Sequence, residues 1–194
     1  MSTPSVPLSI EARQAEFEHW IHQQIVSASR WGFGWIFTGM AFILVGGQSF
    51  LKQIDMGERL EAMAFPGHLP LWGLMAIVFG VLQLIRAPRY YRRLRRIVAA
   101  RRPVTMYMTI RIEKSSDSTH EYADLRLERN RTAPTPDIVV SLATPPWPGG
   151  SARIKETPRD QRVQVHGAQA RGPVVIETEW GFFWPSSDFS TKYP

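Results

Sequence analysis

Residues 31–51 read WGFGWIFTGMAFILVGGQSFL, twenty-one consecutive residues without a charged side chain. A second uncharged run, LPLWGLMAIVFGVLQLI, follows at residues 69–85. A bilayer core about 30 Å thick needs roughly 17–25 helical residues, and uncharged runs of this length are rare in soluble folds. The two runs therefore predict a transmembrane hairpin over residues 31–87, with helices at 31–51 and 69–86. Two buried helices of a soluble bundle are the alternative.

Arginines crowd the segment directly after the second run. Eight of the seventeen residues 86–102 are arginine and none is acidic, whereas the whole chain carries a net charge of +6. Because cytoplasmic flanks of membrane spans collect Arg and Lys, we expect both termini on the cytoplasmic side. The cluster also suits anionic lipid headgroups. It is not predicted to bind nucleic acid, because it abuts a span and no stacking platform interleaves with it. Its members are Arg86, Arg89, Arg92, Arg93, Arg95, Arg96, Arg101 and Arg102.

Small residues recur along one face of each predicted span. The first face holds a glycine every seventh residue, and the second has spacings of three, four and three. Such faces let membrane helices approach closely. They are predicted either to close the hairpin or to dock onto another membrane protein. The two sets are Gly32, Gly39 and Gly46, and Gly73, Ala76, Gly80 and Gln83.

The segments that flank the hairpin have helical periodicity. Residues 10–29, with Ser9 as N-cap, predict an amphipathic helix within segment 1–30 that lies on the membrane or packs on a partner. Its apolar face consists of Phe17, Trp20, Ile21, Gln24, Ile25 and Ala28. Pro88 is expected to bend or restart the helix that follows the second span. Residues 88–102 then predict a basic juxtamembrane helix, whose apolar stripe is Tyr90/Tyr91, Leu94 and Ile97/Val98.

Residues 103–194 change to a period of two. In VTMYMTIRIE, residues 104–113, apolar and other side chains alternate strictly, which is typical of a half-buried strand. About seven short strands separated by turn-rich stretches predict a small antiparallel β-barrel or sandwich. One hairpin is expected to close at residues 167–172. The fold class is thus an α+β membrane protein with a cytoplasmic β-rich domain. The further strand candidates are 121–128, 137–143, 152–155, 162–167, 173–178 and 181–184.

Residues that could carry chemistry are sparse. The chain has no cysteine, which excludes disulfides, thiolate catalysis and cysteine-ligated metals. His19 and His22 share a helix but lack a partner motif for a metal. His120, beside Asp117 and Ser118, is the only hint of a hydrolase. No nucleophile elbow, phosphate loop or dinucleotide fingerprint occurs. We therefore predict no enzyme activity, cofactor or metal.

Aromatic residues near the end of the chain suggest a docking surface. Phe182 and Phe183 are adjacent in a predicted strand, so they should face opposite sides and one is expected to be an exposed anchor. The PxxP spacing at residues 145–148 could also be a ligand. These features predict an accessory subunit or assembly factor of a larger integral membrane complex. The alternative is a tethered module that binds anionic headgroups through the basic helix and β-domain. The candidate docking residues are Trp147, Trp180, Phe182, Phe183 and Trp184.

Overall fold

The chain forms two long helices followed by one curled antiparallel sheet, an α+β layout. The computed structural model describes residues 9–56, 67–100, 102–114, 116, 119–143, 160–169, 171–187 and 189–194. Two compact units divide the chain. Residues 23–91 form one unit, which we call the helical hairpin. Residues up to 22 and from 92 onward form the other unit, which we call the sheet unit.

Helix α1 runs from Ile10 to Asp55 and helix α2 from Leu69 to Ala99. The backbone N–H of Ala12 donates to Ser9 Oγ at 3.2 Å, which confirms Ser9 as the N-cap of α1. Both helices are long and apolar enough to cross a membrane. Only 11 % of the most apolar eighteen-residue window of α1 is buried, and 17 % of that of α2. In a buried core helix of a soluble bundle, most of such an apolar window would be buried.

Neither helix is divided where the sequence suggested a boundary. α1 continues without a break through residue 30, so there is no separate N-terminal helix. α2 likewise continues through Pro88, and the expected restart there is wrong. A proline inside a helix removes one hydrogen bond and costs about 3 kcal/mol. α2 is buried on both sides of Pro88, at Ala76 and at Leu94.

Glycines bring the two helices of the hairpin together in reciprocal pairs. A Cβ atom added to Gly73 would lie 2.5 Å from the carbonyl oxygen of Gly39, and one added to Gly80 would lie 2.6 Å from that of Gly32. These distances leave no room for a side chain at either contact. The glycine spacing of seven in each helix keeps both pairs in register along antiparallel helices. The predicted small-residue faces therefore close the hairpin.

The other predicted packing residues occupy the same faces. Gly46 is buried and Ala76 is 8 % exposed, while Gln83 is half-buried. The Trp35 ring meets the Phe79 ring edge-on at a centroid distance of 5.5 Å. By contrast, Gly34 has no neighbouring atom within 4 Å of an added Cβ.

Seven antiparallel strands form a single sheet in the described residues after 102. They are β1 (Val104–Lys114), β2 (Thr119–Arg126), β3 (Ile138–Ser141), β4 (Gln161–His166), β5 (Val175–Thr178), β6 (Gly181–Phe183) and β7 (Thr191–Lys192). Their order across the sheet is β6-β5-β4-β1-β2-β3-β7. The predicted hairpin at residues 167–172 is confirmed as the β4–β5 connection. The strand candidate at 152–155 lies outside the described residues.

The sheet curls into a half-barrel because both of its ends share one segment. Beyond β6, the Trp184 carbonyl accepts from the Ala143 amide at 3.0 Å, and Pro185 forms a bridge with Leu142. The chain thus leaves the β5 side and joins the β3 side. The antiparallel arrangement was predicted correctly, whereas the two-sheet sandwich is wrong for the described strands. The interior face carries Met106, Met108, Ala123, Leu125, Ile138, Val140, Val163, Val165, Ile176 and Phe183, each at most 4 % exposed.

Candidate interaction surfaces

The first turns of α1 cover the outer face of the sheet unit at β4–β6. Phe17 is 3 % exposed, and its ring centroid lies 4.8 Å from that of Phe182 and 5.8 Å from that of Trp184. Ile21, one turn later on the same face, is also buried. The N-terminal part of the apolar face that was predicted to lie on the membrane or on a partner is therefore buried within the sheet unit, at Phe17 and Ile21.

The terminal aromatics are core residues. Phe182 pairs across the sheet with Glu177 and faces outward, while Phe183 pairs with Ile176 and faces the interior. Both are 2 % exposed, because α1 covers one face and the curled sheet encloses the other. The prediction that they face opposite sides is confirmed, but the exposed anchor is wrong. Trp184 is buried and Trp180 is half-buried.

Trp147 and the PxxP spacing lie outside the described residues, so that docking candidate stays a prediction. A different aromatic is exposed. Phe189 is 92 % exposed on a turn where the Ser187 amide donates to Ser190 Oγ at 3.1 Å. Sequence reasoning missed Phe189, although its neighbours in PSSDFST signal a polar turn rather than a strand.

A partly buried polar network joins α1 to the sheet, and sequence reasoning missed it. Arg13 Nη1 donates to the Thr178 carbonyl at 2.6 Å and lies 3.3 Å from Glu177 Oε1. The other carboxylate oxygen of Glu177 accepts from His166 Nε2 at 3.0 Å. The side chains of Arg13, Glu177 and His166 are only 15 %, 14 % and 6 % exposed. The available signal was that Arg13 precedes Phe17 by four residues and so shares its face.

We expect Glu177→Gln to destabilise the sheet unit by about 2–3 kcal/mol. One carboxylate oxygen forms an ion pair with Arg13 and the other accepts a hydrogen bond from His166, whereas glutamine carries no charge and has one acceptor oxygen and a competing donor. Urea unfolding of the full chain in detergent, followed by near-UV circular dichroism, measures the loss. Glu179→Gln is the matched control, because Glu179 is exposed and its change should stay within about 0.5 kcal/mol. Equal effects of the two variants would mean that the network does not stabilise the fold.

The last turns of α2 also pack in the sheet unit. Leu94 is fully buried and Val98 is 8 % exposed, so these two residues of the stripe predicted to rest on the membrane surface face protein instead. Arg95 Nε lies 2.7 Å from Glu18 Oε2, and the guanidinium of Arg93 lies against Gly172. A basic helix lying flat on lipid through this stripe is therefore wrong.

The remaining predicted arginines lie away from that packing. Arg86, Arg89, Arg92 and Arg96 are exposed along α2, and Arg102 is exposed beyond its end. Arg101 lies outside the described residues. All described members of the cluster are exposed, and two of them, Arg93 and Arg95, also contact residues of the sheet unit.

The histidines that the sequence singled out lie on different elements, His19 and His22 on α1 and His120 on β2. No three of the described His, Cys, Asp or Glu side chains are placed to hold a metal. His19 and His22 are exposed on α1. His120 lies on β2 opposite Glu113 rather than in a loop. Asp117 and Ser118, the residues that suggested a hydrolase, lie outside the described part of the chain.

A polar cluster also lies on the outer face of β1. A hydrogen bond to Glu128 raises the pKa of Tyr107, so the phenol stays neutral and is not a base near neutral pH. The guanidinium of Arg131 lies 4.3 Å from the Tyr107 ring centroid and 2.6 Å from the Asp160 carboxylate. These groups satisfy one another on an open surface.

One shallow groove lies within the sheet unit, with a volume of about 330 Å³. Its carboxylate, Glu18, is already paired with Arg95. The groove therefore offers no acid–base pair. Its lining residues are Gln14, Ala15, Phe17, Glu18, Val98 and Ala99.

Comparison of the chain with protein-family models, curated proteins and solved structures found no match in any of the three.

Proposed function

We propose that the protein is a non-enzymatic, membrane-anchored interaction protein that serves as an accessory subunit or assembly factor of a larger membrane complex. One observation carries the proposal, the exposed apolar surface of the helical hairpin. Both uncharged runs keep their largest side chains on the outside. Examples are Trp31 (67 % exposed), Phe37 (68 %), Leu44 (79 %), Trp72 (60 %) and Met75 (62 %).

Such a surface requires a covering other than water. Contiguous exposed apolar patches of this extent mark membrane or protein contacts. At 1.5 Å per residue, the uncharged run 31–51 extends about 31 Å, which matches the hydrocarbon core of a bilayer. The inner faces of α1 and α2 contact each other through the glycine pairs. We therefore assign the outer faces of the hairpin to lipid and to the transmembrane helices of a partner.

The arginines orient the hairpin in this proposal. Arg86 directly follows the second uncharged run, and more arginines follow on α2. Cytoplasmic flanks collect such residues, so the sheet unit is assigned to the cytoplasmic side. The N-terminal turns of α1 belong to the same unit and lie on the same side.

Phe189 is the proposed anchor for a cytoplasmic partner. Exposed aromatic side chains are enriched among residues that dominate binding energy. Phe189 lies on a turn whose serines hydrogen-bond to one another, so the ring is presented outside the sheet core. Phe189 takes the place of Phe182 and Phe183 as the candidate anchor, because both of those side chains are buried.

The test is extraction of the tagged full chain from its native membrane in mild detergent, followed by sizing and mass spectrometry. We expect a stoichiometric complex, and Phe189→Ala should lower the amount of co-purified partner at least about ten-fold. Ile10→Ala is the control, because Ile10 is also an exposed apolar residue of the sheet unit. A lone particle that carries only lipid would contradict the accessory-subunit role. A point variant is preferred to deletion of residues 180–194, which would remove β6 and β7 from the sheet.

A further inference from the structure

Four exposed arginines of α2 form a stripe defined by their spacing. Arg86, Arg89, Arg92 and Arg96 are separated by three, three and four residues. Since successive helical residues turn by about 100°, all four lie within a sector of about 120°. The buried residues Leu94 and Val98 lie on the opposite side of the same helix. Arg93 lies within the same sector but packs against Gly172, so it is not counted in the stripe. We call these four residues the arginine stripe.

The stripe is not neutralised within the described part of the chain. None of its four side chains has a carboxylate there within ion-pair distance. Arg95 differs, because it lies about 120° from the middle of the stripe and pairs with Glu18. Exposed like charges along one helix face repel one another and destabilise the helix unless an anion binds. The arrangement thus calls for an anionic partner with several negative charges.

We infer that the arginine stripe binds the phosphate groups of anionic lipids, an inference that rests on the proposed insertion of the hairpin. Arg86 follows seventeen uncharged residues on one continuous helix. From Arg86 to Arg96 the helix rises about 15 Å, so the stripe begins at the edge of the hydrocarbon core and extends through the headgroup layer. A guanidinium fork matches phosphate oxygens in two parallel hydrogen bonds.

The position of the stripe favours lipid over an acidic protein partner. Arg86 and Arg89 fall within the depth of the headgroups, where lipid phosphates already lie. Arg92 and Arg96 fall within about one Debye length of that layer, so they still attract its anions. The stripe then gathers anionic lipids around the hairpin without the flat-lying helix that the buried Leu94 excludes.

The full chain reconstituted in phosphatidylcholine vesicles that contain a minor fraction of phosphatidylglycerol provides the test. Lipids retained by the protein after gentle extraction are quantified by native mass spectrometry. We expect phosphatidylglycerol to be enriched over its bulk fraction. Arg92→Gln and Arg96→Gln should each lower that enrichment about five-fold, the effect of one charge near the surface. Raising the salt concentration should lower it as well.

Arg95→Gln is the matched control, since it removes the same charge from the same helix but from outside the stripe. We expect it to change the enrichment less than two-fold. No enrichment in the wild-type chain, or equal losses for Arg92→Gln and Arg95→Gln, would overturn the inference. Extraction of the vesicles with alkaline carbonate separates this failure from that of the proposed function. Release of the protein overturns both, whereas retention without enrichment overturns only the role of the stripe.

Discussion

Gly39→Leu is expected to open the helical hairpin, with a loss of about 3 kcal/mol in the free energy of unfolding. A Cβ at position 39 would collide with the carbonyl oxygen of Gly73 and would lie 3.1 Å from the backbone nitrogen of Ile77. Backbone atoms of a helix cannot move aside as a flexible side chain can. The helices must therefore separate along the contact, which also affects the Gly32–Gly80 pair.

Trp35 provides the signal for this measurement, because its ring packs edge-on against Phe79 within the hairpin. SDS titration of the detergent-solubilised chain, followed by tryptophan fluorescence, gives the unfolding transition. Subtraction of the same titration for Trp35→Phe isolates the signal of the hairpin from that of the other tryptophans.

Gly34→Leu is the matched control. Gly34 is on the same helix, five residues away, and nothing lies within 4 Å of an added Cβ. We expect this variant to be neutral or slightly stabilising, since leucine has the better helix propensity by less than about 1 kcal/mol. If both variants lower stability equally, the glycine contacts do not hold the hairpin together.

The sequence was sufficient for features whose signal is local. The uncharged runs, read as transmembrane helices, correctly predict two long apolar helices, and the glycines spaced by seven residues predict the packed face of α1. Strict alternation at residues 104–113 predicts β1, and the turn at residues 167–172 predicts the β4–β5 hairpin. Each of these depends on residues within about twenty positions of one another, where helix and strand periodicity operate.

The sequence could not show what covers an apolar face. The sequence pattern of the apolar face that contains Phe17 is the same whether lipid, a partner or the chain's own sheet covers that face. Alternation predicts that Phe182 and Phe183 face opposite sides, but whether each side is covered depends on α1, which is distant in sequence. The ion pair between Arg13 and Glu177 could not be predicted for the same reason, since the two residues are distant in sequence.

Two further features were too short or too unusual to read. β7 contains two residues, Thr191 and Lys192, fewer than any alternating pattern needs. Pro88 carries a strong local signal to end a helix, and tertiary packing on both sides overrides it. Local propensity therefore correctly predicted helix on both sides of Pro88 but wrongly predicted a boundary there.

Phe17→Ala is expected to destabilise the sheet unit by about 3 kcal/mol or more, the usual cost of truncating a buried phenylalanine. The ring is 3 % exposed between Phe182 and Trp184, so its removal leaves a cavity and uncovers the outer face of β6. Urea unfolding of the full chain in detergent measures the loss. Hydrogen exchange should show faster exchange of the β5 and β6 amides than in the wild-type chain.

Ile10→Ala removes apolar atoms from the same helix at a residue that is 62 % exposed, and it should cost less than about 0.5 kcal/mol. The comparison decides between two environments for one apolar face. If α1 packs on the sheet, the cost of Phe17→Ala persists when the surrounding detergent is replaced by lipid, because the ring contacts protein in both. If the face instead rests on a bilayer, Phe17→Ala costs no more than Ile10→Ala in detergent. That result would overturn the packing of α1 on the sheet and return this helix to the membrane surface.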